Sequence, residues 1–181
     1  MAGKRQSKER RQGMKTRDRG ADRAGPPGER SVSMPGNRLV TTKVAAERTG
    51  WAYSLFEVEV GAGGGEAPHI EHREDEYLYV IEGRFGLVVE GETSEAGPGT
   101  HVYVARGALH AYECVGDGTG KLLVVHTPGG SQEGFLAAGE PTTGSADRPG
   151  RNYQGFALLA AEHGIEICRT TQDVENTERS S

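Results

Sequence analysis

His69-Ile70-Glu71-His72-Arg73-Glu74-Asp75-Glu76-Tyr77-Leu78-Tyr79-Val80-Ile81-Glu82-Gly83 is the stretch on which the reading of this chain turns. Its second half, residues 76–81, is rich in aromatic and β-branched side chains and stops at Glu82-Gly83, which is the pattern of a strong strand. Side chains two apart on a strand share a face. Glu76, Leu78 and Val80 therefore form one side of it. In the first half the same parity puts His69 and Glu71 together and turns His72 away, with a turn at residues 73–75 between the two strands.

The pattern extends in both directions. Residues 51–60 end in strict alternation, with Phe56, Val58 and Val60 on one face and Glu57 and Glu59 on the other, as in a half-buried strand. Residues 85–89, 101–105, 109–115 and 122–126 read as further strands. There are 28 glycines among 181 residues, about twice the ordinary usage, and they fall at regular intervals between short apolar runs. That spacing argues for an all-β sandwich or barrel. After Pro128-Gly129-Gly130 the signal changes. Residues 132–138 suit a short helix and residues 139–150 a polar loop. Phe156, Leu159, Ala160 and His163 have helical spacing, with Gly164 placed as a C-cap. The expected organisation is a disordered basic leader over residues 1–35, a barrel over 36–130, a helical C-terminal extension over 131–169 and a flexible tail over 170–181. No internal repeat suggests a second barrel.

Charge and composition narrow the function classes. Residues 1–30 carry ten Lys/Arg and four Asp/Glu, whereas residues 31–181 carry eleven and twenty-two. So acidic a body disfavours nucleic acid as a partner. The basic segment has too few large apolar side chains to order itself. It reads as a leader, or as an upstream extension of a protein starting at Met14 or Met34. Cys114 and Cys168 are too few for a disulfide framework and fit a reducing, cytoplasmic setting. No run approaches the roughly 18 apolar residues of a membrane helix, and no apolar stretch follows the basic N-terminus as in a secretory signal. No glycine-rich loop opens a helix to cradle phosphate, and no Ser-His-Asp grouping is visible.

The chemistry-bearing residues are His69, Glu71, Glu76 and His110, the last in Arg106-Gly107-Ala108-Leu109-His110. Imidazoles and carboxylates converging from neighbouring strands make a site for one divalent transition metal (Fe, Mn, Ni, Co or Zn) with open positions for water, O₂ or substrate. Strand alternation favours Glu71 as a ligand. A local bulge would instead turn His72 inward. Tyr53, Phe56, Leu78, Tyr103, Tyr112 and His126 are candidates for a substrate pocket, with ordinary core packing the plainer reading for the aromatic residues.

These motifs resemble the single-domain cupins. Gly61 or Gly63, His69, Glu76 and Gly83 match the first cupin motif, and Gly97 or Gly99, Gly107 and His110 match the second, over about residues 50–130. Glu71 stands where the second His of the pair is usual, Ala105 replaces a Pro and Cys114 an Asn. Thr127-Pro128-Gly129-Gly130, Phe135 and Gly164-Ile165-Glu166-Ile167 are similar to the extension of quercetinase-like members. The resemblance implies a double-stranded β-helix, a homodimer and a metal-dependent enzyme for a small oxygenated substrate. By analogy with quercetinase-like dioxygenases, Glu76 is the catalytic residue. Quercetinase-like dioxygenation is the first implied reaction. A polyketide cyclase, isomerase or lyase working without O₂, or a non-catalytic small-molecule-binding cupin, are the alternatives.

Overall fold

Alternation sorts the strands into two sheets whose apolar faces meet. In the computed structural model, which describes residues 31–136, 140–141 and 153–168, the first sheet is built from β1 (Ser31–Met34), β2 (Arg38–Val44), β3 (Ser54–Val60), β5 (Asp75–Glu82), β8 (His101–Val104), β10 (Gly120–Thr127) and β11 (Glu140–Pro141). The second holds β4 (Gly65–Glu71), β6 (Phe85–Val89), β7 (Glu92–Ala96), β9 (Leu109–Cys114) and β12 (Ile165–Ile167). Their spatial orders are β11-β1-β2-β3-β10-β5-β8 and β12-β4-β9-β6-β7. From β3 onward the chain passes repeatedly from one sheet to the other, so strands close in sequence face each other across the core. Phe56, Val58, Val80, Phe85, Leu87, Leu122 and Val124 fill that space and are all buried. Three short helices complete the described residues: α1 (Ala46–Thr49), α2 (Ser131–Leu136) and α3 (Tyr153–Glu162).

The all-β expectation holds, and so do the strands read from alternation. The leader does not extend to residue 35. Ser31–Met34 is a strand paired antiparallel with β2, and Val32 and Met34 are each 1% exposed. Two fully buried apolar side chains contribute about 3–6 kcal/mol together, enough to order a four-residue strand that also gains a hydrogen-bonded ladder. The C-terminal extension is only partly helical. Gly164, at φ +82°, ends α3 in the left-handed conformation glycine adopts readily, and the chain turns into β12. β12 pairs with β4, Ile165 opposite Glu71 and Ile167 opposite His69. The expected helix over 132–138 is α2, with residues 137–138 outside the described residues. The expected polar loop and tail also lie outside them, apart from Glu140–Pro141, which pairs with β1.

Met34→Ala should lower the unfolding free energy by about 2–4 kcal/mol in urea denaturation. A loss below about 0.5 kcal/mol would show that the barrel does not depend on β1.

Candidate metal centre

Two strand registers bring the ligand-type side chains together. His69 on β4 lies directly opposite His110 on β9, and their rings are 4.0 Å apart between centroids. Glu76 at the start of β5 lies directly opposite His126 at the end of β10. Glu71 follows His69 on the inward face of β4, and all five residues are buried. His126 Nε2 is 3.3 Å from both Glu71 Oε1 and Glu76 Oε1, and His110 Nε2 is 3.0 Å from Glu76 Oε2. One ligand atom each from Glu71, Glu76 and His126 falls within 4.8 Å of the others.

The backbone sets how two of the imidazoles are presented. His69 Nδ1 lies 2.9 Å from the Ala67 carbonyl, and His110 Nδ1 lies 3.0 Å from the Ala108 carbonyl. A carbonyl can only accept, so each Nδ1 carries the proton and each Nε2 lone pair is left for the site. Nε2 of His69 and Oε2 of Glu71 are buried without a hydrogen-bond partner, and His110 Nε2 and Glu76 Oε2 have only their ion-pair contact with each other. Burying such atoms unpaired is costly. A cation among them removes that cost, so the donor set fits a divalent metal.

The electrostatics point the same way. Burial opposes charge on every group here, yet Glu76 outweighs it at His110 and raises that imidazole to about 9. His126 is also raised well above its ordinary value, because Glu71 and Glu76 overcome its burial. Glu76 is held well below the usual carboxylate range, where its contacts with His110 and His126 overcome its own burial. Burial and the neighbouring His110 charge depress His69. With neutral imidazoles, Glu71 and Glu76 would leave two negative charges in the core. Either two protons, on His110 and His126, or one dication balances them.

Sequence reading had placed His126 among pocket residues, and the structure puts it in the ligand cluster as a third imidazole. Its parity with Leu122 and Val124 on β10 was the available signal. Glu71 faces inward as expected. His72, the alternative, is half exposed and pairs with Glu166 at 3.0 Å, so no bulge turns it in. Tyr53 and Tyr103 do not line the interior. They are 42% and 50% exposed, and Tyr103 stacks on Tyr77 on the outer face, since Val102 and Val104 take the inward positions of β8. Leu78 is core. Phe56 packs its ring 5.6 Å from that of His126 and, with Tyr112, lines the cavity beside the ligands.

Two buried features had no sequence expectation or a contrary one. Arg38, two residues before inward-facing Val40, pairs with Glu66 inside the barrel and donates to the Tyr112 hydroxyl at 3.3 Å. Glu74, in the turn expected at residues 73–75, is 2% exposed. Its Oε1 accepts from the Ser131 backbone at 2.7 Å, and burial pushes its carboxyl up. Beside it, three hydrogen bonds from Arg106 hold Asp75 at about 2 and tie β5 to the loop that precedes His110. A larger cleft, of about 720 Å³, lies on the outer side of the second sheet along Pro68, Val88, Ala111 and Glu113, and none of the five ligand-type residues lines it.

The cupin domain model matches residues 55–126, from β3 to β10, and so takes in all five ligand-type residues. The chain belongs to the cupin superfamily. An uncharacterised protein of Streptomyces coelicolor is 30% identical over 74 residues, which cover 41% of this cupin and 67% of that protein. The polyketide cyclase RemF of Streptomyces resistomycificus is 28% identical at a TM-score of 0.51, covering 60% of this cupin and 80% of that chain. KdgF of Halomonas sp. shares the fold at 16% identity and a TM-score of 0.52, covering 57% and 89%.

Two outcomes test the centre. His126→Ala should weaken divalent-metal binding at least tenfold by calorimetric titration, with His72→Ala within about twofold of wild type. The second test is pH. Raised folded pKa values stabilise the metal-free protein below the ordinary histidine value of 6.5, and that stability is lost as pH rises through about 9. The metal-loaded form, with neutral imidazoles, lacks this slope. The difference in Tm between loaded and metal-free protein should widen from pH 6.5 to 9. A constant difference would sink the proton–metal exchange.

Proposed function

We propose that this cupin is a metal-dependent enzyme acting on a small oxygenated substrate of aromatic or polyketide type. The supporting observation is the buried group of Glu71, Glu76 and His126, whose ligand atoms lie within 4.8 Å of one another, with the facing His69 and His110 beside it. His69, His110, His126, Glu71 and Glu76 would hold one divalent ion of the Mn to Zn series. Such an ion supplies Lewis-acid polarisation of a carbonyl or enolate oxygen. Glu76 is the proton acceptor: His110 and His126 keep it ionised at neutral pH, and it borders the cavity beside the ligands. Phe56, Val58 and Val124 form the apolar part of the wall of the same space.

Between the two reaction classes, cyclisation or isomerisation by proton transfer is the first reading. The likeness to a polyketide cyclase at 28% identity supports it. Quercetinase-like dioxygenation is the second, favoured by the two-histidine, one-carboxylate grouping of His69, His110 and Glu76, which is a donor set of non-haem iron oxygenases.

Hydroxylated aromatic and linear polyketide compounds should be turned over by metal-loaded protein at the same rate with and without O₂. Loss of turnover under argon would select the dioxygenase instead, and no turnover of either class by fully loaded protein would leave a binding cupin. Glu76→Gln should reduce kcat by about 10²-fold or more in protein whose metal content is matched to wild type by elemental analysis.

A further inference from the structure

The cavity beside the ligands holds about 20 Å³, room for one water and far below the roughly 300 Å³ or more of an ordinary small-molecule pocket. Its walls are Arg38 and Val40 from β2, Phe56 and Val58 from β3, Glu66 from β4, Glu76 from β5, Tyr112 from β9, Val124 and His126 from β10, and Gln132 from α2. All but one of these are locked into hydrogen-bonded strand ladders. Among the described residues, Gln132 is the one wall contributed from outside the sheets. It is 7% exposed, and its Nε2 donates to Glu71 Oε1 at 2.6 Å. The same short helix is tied down at Ser131, whose backbone N–H donates to Glu74.

Two glycines of different constraint form the root of this segment. Gly129 is fixed: its N–H donates to the Trp51 carbonyl at 3.1 Å, and a Cβ there would lie 2.6–2.8 Å from Tyr53 and Ser54 atoms. The next residue, Gly130, sits at φ +133°, a conformation that side-chain-bearing residues rarely adopt. A fixed glycine followed by one without a side chain to restrict its backbone places a pivot two residues before the one that fills the site.

We propose that Gln132 is the gate of this centre, and that its amide holds the place taken by a substrate hydroxyl when α2 swings from the barrel. This rests on the metal-centre reading above. The chemistry of the exchange selects the substrate class. Glu71 Oε1 accepts a hydrogen bond from Gln132, so the group that displaces the amide must also be a donor. A hydroxyl adjacent to a second oxygen meets that need. A carboxylate oxygen in the same position would face Glu71 with like charge.

The test uses the full chain loaded with Co(II) and 4-nitrocatechol as a chromophoric, hydroxyl-bearing probe followed by stopped flow. Gln132→Ala, and Gln132→Leu as a volume-keeping companion, should each raise the association rate of the probe tenfold or more, while Co(II) affinity stays within about threefold of wild type. Unchanged or slower association in both variants overturns the gate. A loss of Co(II) affinity beyond tenfold in both also overturns it, by making Gln132 a support of the metal site. Failure of the Co(II) forms of wild type and variants to bind 4-nitrocatechol overturns the substrate class. Absence of Co(II) uptake by the wild type removes the metal reading itself, and the gate with it.

Discussion

Two carboxylates, Glu71 and Glu76, lie buried within 4.8 Å of each other, and much of the barrel is arranged around their neutralisation. Left alone they would repel each other at a cost no small core could offset. The registers of β4 with β9 and of β5 with β10 place imidazoles against them, and the Ala67 and Ala108 carbonyls fix the tautomers that face inward. Further along the same interior the solution is different. Arg38 meets Glu66 and Tyr112, so that region is balanced by the chain's own cation. One barrel thus contains a self-neutralised ion pair and a carboxylate pair that requires either protons or a metal.

Much of this was legible in the sequence because it depends on parity. Phe56-Val58-Val60, Glu76-Leu78-Val80 and His69-Glu71 each follow from the two-residue repeat of a strand, and each faces the interior as read. The same rule could have sorted Tyr103 outward, had its phase on β8 been taken from Val104. What parity does not give is register between strands distant in sequence. That His126 meets Glu76, or that Arg38 meets Glu66 through a bulge in β4, depends on pairings that no local pattern encodes. Glu74 and Gln132 were hidden for another reason. A charged turn and a polar short helix look solvated until they are folded onto each other over the site.

β1 shows how composition can mislead at a boundary. A basic, glycine- and proline-containing segment runs directly into Ser31–Met34, and only Val32 and Met34 distinguish the strand from what precedes it. Two alternating apolar residues are a weak signal alone. Paired with β2 on one side and β11 on the other, they become an interior strand of the larger sheet.

The placement of β12 carries a consequence for biosynthesis. The strand bearing His69 and Glu71 is flanked on one side by β9 and on the other by residues near the C-terminal end of the described chain. Pairings of such sequence separation close late and slowly. The strand that carries His69 and Glu71 is therefore not paired on both sides until nearly all of these residues have left the ribosome. A divalent ion held at this centre would then enter a nearly finished barrel and would not template a nascent one.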